Sequence, residues 1–196
     1  MEGIAALERD AELMLAVKEG DSASFERLLG KYRSPVIHYL YRMVQNQGAA
    51  EEMAQEVFLR VYRSRSSYEP TAKFTTWLFR IATHLALNWL RDQRHERNQA
   101  SLDGAPDSAR VIQIADRRGN REQEMVAEVR LAEVRRAVAE LPEKQRVAVL
   151  MHKYEEMDYV QIGGVLGCST SAVKSLLFRA YETLRGRLSH LSEGLV

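Results

Sequence analysis

Apolar residues recur at helical spacing along most of this chain. A repeat every three to four positions is typical of amphipathic helices, and no run alternates strictly for long enough to form a sheet. The periodic stretches are residues 23–44, 50–64, 74–92, 122–140, 142–154, 158–166 and 170–188. The pattern therefore predicts an all-α fold.

The pattern breaks once, in "NQASLDGAPDSARVIQIADRRGNR", residues 98–121. Gly, Pro, Asp, Ser and Asn cluster there, as they do in connections between elements. We predict two small helical domains joined by a flexible linker. The first domain would span residues 1–97, the linker 98–123 and the second domain 124–196.

The stretch "YEEMDYVQIGGVLGCSTSAVKSLLFRAYETLRGRL" predicts a helix-turn-helix in the second domain. Its first helix would end at Gly167, where a left-handed residue closes a helix without steric cost. Ser169 would cap the second helix, 170–186, which would be the recognition helix. Apolar stripes that can pack across the turn contain Ile162, Leu166, Val173, Leu177, Ala180 and Leu184.

Short hydroxyls and cations lie at the exposed start of that recognition helix. They are Thr170, Ser171, Lys174, Ser175 and Arg179. Such side chains beside a helix N-terminus suit phosphates and base edges. A plain helical hairpin with a solvated basic face is the alternative.

Composition and charge narrow the class of protein. The chain has 196 residues, of which 45% are hydrophobic and 28% charged, as in a soluble globular protein. No window approaches the roughly 20 apolar residues of a membrane span, and no secretory signal is visible. The only cysteine, Cys168, fits a reducing cytosol, and we expect it to be a small packing residue. We therefore expect a cytoplasmic protein without membrane insertion.

Charge is uneven although the net charge is only +1. Residues 1–30 carry seven acidic and three basic side chains, or −4, whereas residues 169–190 carry four basic and one acidic, or +3. A basic patch on a near-neutral chain indicates that one face binds a polyanion and that other faces bind protein partners.

No catalytic site, metal site or cofactor site is predicted. The chain lacks an H-E-x-x-H motif, a P-loop and a G-x-S-x-G motif. His84 and His95 share a predicted helix, but eleven residues separate them by about 16 Å, too far for one metal ion.

Four motifs occur together and in order: "AQEVFLRVYR", "FTTWLFRIA", "LPEKQR" and "AVKS…RA". With them the chain resembles a bacterial RNA polymerase sigma factor of the extracytoplasmic-function (ECF) group, in the sigma-70 family. The resemblance covers roughly residues 21–97 and 124–190. It implies a non-catalytic initiation factor that gives RNA polymerase its promoter choice and assists DNA melting, in a stress or envelope response.

The resemblance also implies roles for particular residues. On the predicted helix 50–64, Met53, Val57, Phe58 and Val61 form the apolar stripe, and Glu52, Gln55 and Glu56 share another side. That acidic triplet matches the strip that docks on the β′ clamp helices of core polymerase. The helix-turn-helix matches the reader of the minus-thirty-five element, near the β flap. The resemblance also implies an anti-sigma factor as a further partner, and the free factor is expected to be a monomer.

The helix from about Thr76 to Arg94 matches the reader of the minus-ten element, and the segment 68–77 matches the strand-opening region. Leu78, Ile81, Leu85 and Trp89 fall within about 80° of one another and predict the core stripe. Arg80, His84, Asn88 and Arg91 fall within another arc of about 80°. Beside Tyr68 and Phe74, that row suits a flipped base and its backbone. The predicted DNA contacts of this domain are Tyr68, Lys73, Phe74, Arg80, His84, Asn88, Arg91 and Arg94.

Several residues depart from the family pattern. His84 and Asn88 stand where Asn and Asp are common, and Ser171 stands where Gly is usual; Leu176 and Phe178 replace the usual Arg and His. These departures bear on promoter preference. Two other classes stay open: an autonomous helix-turn-helix regulator, and a DNA-processing enzyme such as a recombinase.

Overall fold

The computed structural model describes residues 2–102 and 121–192, which form α-helices and one short 3-10 helix. The α-helices are α1 (Glu2–Lys18), α2 (Ser22–Val44), α3 (Gln47–Arg63), α4 (Phe74–Leu102), α5 (Arg121–Ala139), α6 (Glu143–Tyr154), α7 (Tyr159–Leu166) and α8 (Thr170–Ser192). The 3-10 helix, Arg65–Ser67, lies between α3 and α4. Within these two ranges no strand occurs, so the predicted all-α class is confirmed.

Helices α1 to α4 form the first domain. Asp21 caps α2 through Ala23 N at 2.9 Å, and Asn46 caps α3 through Ala49 N at 3.0 Å. Both side chains satisfy amide groups that a helix N-terminus leaves without partners. The predicted stripe of α3 is confirmed, since Met53, Val57, Phe58 and Val61 are all buried.

Helix α1 was not predicted from the periodicity. A buried carboxylate interrupts its apolar face: Asp10 is 2% exposed, accepts from Lys31 Nζ at 2.7 Å and is hydrogen-bonded by the Tyr32 hydroxyl. At the other end of α1, Lys18 Nζ donates to the Tyr68 carbonyl at 3.1 Å. The N-terminal helix therefore braces the loop that leads into α4.

The helix-turn-helix of the second domain is confirmed. Asp158 and Gln161 form a capping box at the start of α7, and Gly167 ends it with φ at +64°. Ser169 Oγ then accepts from Ala172 N at 3.3 Å at the start of α8. Of the predicted packing residues, Ile162, Val173, Leu177 and Ala180 are buried, and Leu166 and Leu184 are partly buried against them.

The linker bounds need correction at both ends. Helix α4 continues to Leu102 and α5 begins at Arg121, whereas 98–123 was predicted to be linker. Residues 98–102 contain no Gly or Pro, so nothing local stops the helix at Asn98. The rest of the predicted linker, 103–120, lies outside the described residues.

The two domains pack against each other. Helix α7 lies on α4, and α5 and α6 lie on α2. The buried apolar residues of the two domains form one continuous cluster. The periodicity predicted helices α2 to α8 but not this contact between the domains.

Candidate nucleic-acid interface

The predicted DNA-facing residues of α8 lie together on its exposed side. Thr170, Ser171, Lys174, Ser175 and Arg179 are all exposed, opposite the buried side of the helix. At 100° per residue, Lys174 and Arg179 are 140° apart, with Ser171 and Ser175 between them. A DNA groove presents base edges between two phosphate backbones. This face of α8 presents hydroxyls between two cations, in the matching order.

The hydroxyls of α8 are oriented by the backbone and by each other. Ser175 Oγ donates to Ser171 O at 3.1 Å, and Ser171 Oγ lies 2.9 Å from Ser169 Oγ. Ser175 therefore donates its hydroxyl proton to the helix backbone, and the lone pairs of its oxygen stay available to accept a hydrogen bond. An acceptor on this face suits the amino groups of adenine or cytosine.

Aromatic side chains extend the same face of the second domain. Phe178 is 69% exposed on α8. Next to it, His152 Nδ1 lies 3.1 Å from the Tyr181 hydroxyl, and the His152 ring stacks on Tyr159. Lys174 Nζ lies 6.0 Å from the centre of the Tyr159 ring. The exposed face therefore offers apolar as well as charged surface.

In α4, the polar row is exposed as predicted, but the core stripe is shifted. Arg80, His84, Asn88 and Arg91 are all exposed. Of the predicted stripe only Leu78 is fully buried, whereas Ile81, Leu85 and Trp89 are partly buried. The core side consists of Thr76, Phe79, Ala82, Thr83 and Ala86. Because small residues allow neighbouring helices to approach closely, they form the buried face of α4. The prediction from bulky apolar residues alone placed that face wrongly.

Two predicted DNA contacts, Tyr68 and Phe74, are wrong for this structure. Tyr68 is 4% exposed and Phe74 is 1% exposed, and their ring centres lie 6.4 Å apart. Trp77 packs 5.0 Å from the Tyr68 ring and completes an aromatic cluster beneath the loop. These rings stabilise the loop, and neither Tyr68 nor Phe74 offers a surface on which a base stacks. Lys73, by contrast, is exposed just before α4.

The acidic triplet of α3 divides into two groups. Glu52 and Gln55 are exposed. Glu56 accepts from Arg60 Nε at 2.7 Å, and this hydrogen bond holds the pKa of its carboxyl below the usual range. Glu52 and Gln55 are therefore the members of the triplet that stay available to a partner.

In this structure, two predicted DNA-contacting arginines of α4 contact the second domain. Arg80 donates from Nε, at 2.9 Å, and from Nη2 to the carbonyl of Gly164 in α7. Arg94 Nη1 lies 3.1 Å from the carboxylate of Glu143, at the start of α6. Neither contact was predicted, because the partners lie far apart in sequence.

Arg146 of α6 is a buried arginine whose role sequence reasoning missed. It is 7% exposed, and its Nη1 donates to the Met43 carbonyl of α2 at 2.7 Å. Its Nη2 donates to Leu141 O at 3.3 Å and to Ala139 O. Desolvation lowers the pKa of this guanidinium. The available signal was an Arg that directly precedes the apolar run "VAVLM", because a cation at such a position needs acceptors.

A carboxyl at the same domain boundary has a perturbed pKa. Burial raises the pKa of Glu155, which follows α6, to about 7, although the positive charge of Arg42 in α2 acts in the opposite direction. The Arg42 guanidinium itself lies 4.0 Å from the centre of the Tyr154 ring. Glu155 is thus a half-buried acid that titrates near neutral pH.

This shift predicts how stability depends on pH. The pKa of Glu155 is higher in the folded than in the unfolded chain, so its protonation favours folding, and that contribution is lost as pH rises through about 7. Glu155→Gln should therefore raise the free energy of unfolding by about 1 kcal/mol at pH 8 and change it little at pH 5. Urea unfolding at the two pH values measures this difference. The exposed neighbour provides the control, Glu156→Gln, and an equal effect at both pH values would contradict the assignment.

Among the residues that the structure describes, no group of three or more His, Cys, Asp or Glu side chains is placed to hold a metal ion. In the same ranges no helix combines the length and the apolar character needed to cross a membrane. Cys168 is half-buried in the turn between α7 and α8 and packs against the core, as predicted.

Family models match both domains. Residues 28–96 match Sigma-70 region 2, and residues 131–184 match Sigma-70, region 4. The ECF RNA polymerase sigma factor SigW of Bacillus subtilis is 31% identical over 89% of this chain and 94% of its own length. The RNA polymerase sigma-H factor of Pseudomonas aeruginosa is 30% identical over 94% of this chain and 96% of its own length.

Solved structures share the fold. CnrH in complex with the cytosolic domain of CnrY aligns with a TM-score of 0.69 at 19% identity, over 92% of this chain and 97% of that chain. The sigma factor RpoE in complex with the anti-sigma factor NepR, from Bartonella quintana, aligns with a TM-score of 0.64 at 19% identity, over 84% of this chain and 96% of that chain.

Proposed function

The chain belongs to the ECF sigma factors of the sigma-70 family. From this premise we propose which step of transcription initiation each of its domains performs. The family matches carry the assignment, because they cover both domains in the order region 2, then region 4. A protein of this family directs RNA polymerase to promoters and is an initiation factor, not a catalyst. Bond formation then belongs to the polymerase.

The second domain is proposed to read the minus-thirty-five element as duplex DNA. Lys174 and Arg179 would contact phosphates on the two sides of a groove, while Ser171 and Ser175 face base edges between them. The separation of cations and hydroxyls on α8 supports this arrangement. Since Phe178 adds an apolar surface to that face, we expect a promoter preference that depends on more than hydrogen bonds.

The first domain is proposed to meet the minus-ten element after the strands separate. Its candidate contacts are the exposed row on α4, Arg80, His84, Asn88 and Arg91, with Lys73 and Arg94 beside it. Flipping a base out of the stack costs a few kcal/mol, which one small domain is unable to supply alone. Core polymerase would therefore open the DNA, and this row would capture the displaced strand.

Docking on core polymerase is assigned to α3. Glu52 and Gln55 are exposed beside each other on one side of this helix, and α3 lies within the residues that match Sigma-70 region 2. We expect them to contact the β′ clamp helices, while the second domain lies near the β flap. Glu56 would contribute through its pair with Arg60.

A variant of α3 tests this docking surface. Glu52→Lys combined with Gln55→Ala should weaken binding to core polymerase by at least about tenfold, because a charge reversal at a complementary interface costs several kcal/mol. Competition with a labelled sigma factor for core polymerase measures the loss. Helix content and melting temperature should stay at the wild-type values.

Glu12→Lys is the matched control, since Glu12 is exposed on a different helix of the same domain, α1. Equal affinities of wild type, control and variant would exclude this surface as the docking site.

Regulation by a protein partner is also proposed. Two proteins of the same fold are solved in complex with another protein: CnrH with the cytosolic domain of CnrY, and the sigma factor RpoE with the anti-sigma factor NepR. We expect an anti-sigma factor for this chain, which would otherwise be a cytoplasmic monomer, in a stress or envelope response.

Run-off transcription with purified core polymerase tests the function as a whole. Added protein should produce promoter-specific transcripts that core polymerase alone does not make. Binding as a dimer to a palindrome without polymerase would instead support an autonomous regulator. Strand cleavage by the protein with Mg²⁺ would support a DNA-processing enzyme.

A further inference from the structure

An exposed loop leads into α4, and a buried aromatic side chain anchors it at each end. Residues 69–73 are all exposed, whereas Tyr68 before them is 4% exposed and Phe74 after them is 1% exposed. Inside the loop, Thr71 N donates to Glu69 O at 2.8 Å. So short a turn does not fix the loop against the rest of the domain. The position of the loop therefore depends on its two anchors.

Helix α1 binds the first anchor through its last residue. Lys18 Nζ donates to the Tyr68 carbonyl at 3.1 Å, across 50 positions of the chain. The Tyr68 ring packs 5.0 Å from the Trp77 ring, but its hydroxyl is buried and has no hydrogen-bond partner among the described residues. A buried hydroxyl without a partner is unfavourable, so the side chain of Tyr68 does not hold itself in place by a polar contact. Lys18 therefore ties this anchor to α1.

The second anchor is reached from α1 through α2. Asp10, which is 2% exposed, is hydrogen-bonded by the Tyr32 hydroxyl and by Lys31 Nζ at 2.7 Å. The Tyr32 ring in turn packs against Phe74, with 5.5 Å between the ring centres. Hydrogen bonds that involve a charged partner are stronger than neutral ones, so Asp10 restrains the orientation of the Tyr32 ring. Asp10 thereby fixes the aromatic surface on which Phe74 packs.

We propose that Asp10 and Lys18 are positioning residues for the capture of single-stranded DNA, because they hold both ends of the loop 69–73 before the displaced strand arrives. This role rests on the proposed binding of the minus-ten strand by the first domain. Asp10 is buried and Lys18 is bound to the Tyr68 carbonyl, so both act through the loop and not by touching DNA. A loop that is fixed in advance loses less conformational freedom when the strand binds.

The position of the loop matters more for strand capture than for the stability of the fold. Residues 69–73 are exposed and bury no apolar side chain, so little stability depends on where they lie. The strand, in contrast, has to meet Lys73 and the polar row of α4 at the same time. Displacement of the loop separates these contacts and lowers the fraction of molecules that are competent to bind.

Four variants test this role without altering a proposed DNA contact. Lys18→Met removes the donor to the Tyr68 carbonyl, whereas Lys18→Arg retains N–H donors and should restore the function. Arg9→Met is the matched control, since it removes the same charge from an exposed position of α1, nine residues and thus 180° from Lys18. Tyr32→Phe tests the second anchor, because it keeps the ring and deletes the hydrogen bond to Asp10. If Tyr32→Phe fails to fold by circular dichroism, the Lys18 variants still decide the outcome.

Hydrogen exchange of the full chain, followed by mass spectrometry, gives the first measurement. The amides of Thr76 and Trp77 donate to the Lys73 carbonyl at 2.9 and 3.3 Å, so their exchange reports how often the end of the loop opens. Loss of one hydrogen bond should speed their exchange by about three- to tenfold in Lys18→Met and in Tyr32→Phe. Wild-type exchange in both variants would show that α1 does not hold the loop and would overturn the inference.

Promoter opening by the variant bound to core polymerase gives the second measurement. The probe is a promoter selected from a random library by the wild-type complex, with 2-aminopurine in its downstream element. At saturating protein we expect Lys18→Met to lower the opening rate constant by about three- to tenfold, while Lys18→Arg and Arg9→Met match wild type. Affinity for the closed duplex, affinity for core polymerase and melting temperature should stay at the wild-type values. A premelted promoter should recover most of the lost transcription.

Three results would count against the positioning role. They are a wild-type opening rate in Lys18→Met, an equal loss in Arg9→Met, and a loss that appears equally in duplex binding or in affinity for core polymerase, which would indicate a general structural defect. Failure of the wild-type chain to produce promoter-specific transcripts with core polymerase would instead refute the proposed function, whatever hydrogen exchange shows.

Discussion

Arg146→Ala is expected to lower the free energy of unfolding by about 2–4 kcal/mol, one of the two largest effects we predict. Three carbonyl groups, of Met43, Ala139 and Leu141, would lose their donor where the structure admits little water. Leaving a buried acceptor without a partner costs about 1–3 kcal/mol. The change therefore loosens the end of α5 and the contact between the domains together.

The cost of removing Arg146 exceeds its net contribution to stability. Burial of a guanidinium is itself unfavourable, and its Nε has no hydrogen-bond partner in the structure. Arg146→Lys should be intermediate, because one ammonium group is too compact to serve the ends of α2 and α5 at once. Urea unfolding of the full chain, followed by circular dichroism, measures all these changes.

Arg136→Ala is the control for Arg146, since Arg136 is exposed on α5 and should change stability by less than about 0.5 kcal/mol. If Arg146→Ala behaved like this control, the three carbonyls would have to be satisfied by water, and the buried arginine would not stabilise the domain.

The second large effect is a loss of transcription, which we expect from substitutions on α8. Lys174→Ala combined with Arg179→Ala should reduce transcription from a promoter with a strong upstream element by at least about tenfold. Both side chains are exposed at the flanks of the proposed groove-binding face. Each lost phosphate contact also removes about one unit from the slope of log binding constant against log salt, so that slope should become shallower by about two.

Salt titrations of duplex binding by the polymerase complex measure that slope, and run-off transcription measures the activity. Lys144→Ala with Arg136→Ala removes the same charge from α6 and α5, so it controls for the general loss of attraction to DNA. An unchanged slope in the α8 variant would mean that these cations point away from the phosphates. Equal loss in variant and control would mean that only the overall charge matters.

The helix-turn-helix could be predicted almost completely because its determinants are local. The left-handed Gly167, the Ser169 cap and the apolar spacing of α7 and α8 each act within a few residues. The exposed positions of α8 followed from the same periodicity. The polar row of α4 was predicted for the same reason.

Positions that depend on neighbouring helices were harder to predict. On α4, Ala82, Thr83 and Ala86 are buried where bulkier Ile81 and Leu85 are only partly so, because close helix packing favours small residues. Tyr68 and Phe74 looked like loop aromatics available to DNA, yet both are buried, with Trp77 packed on Tyr68 and Tyr32 on Phe74. Helix α1 itself was missed because Asp10, a charged residue, occupies a buried position.

Helices α2 to α8, the helix-turn-helix, the family and the candidate surfaces could be predicted from the chain alone, since each depends on short-range spacing or on motifs. Which arginines are free became known only from the packing of the two domains. Arg80 and Gly164 are separated by 84 residues, and Arg146 and Met43 by 103 residues. A helix-terminal carbonyl looks the same in every sequence, so its partner is known only once the two domains have packed.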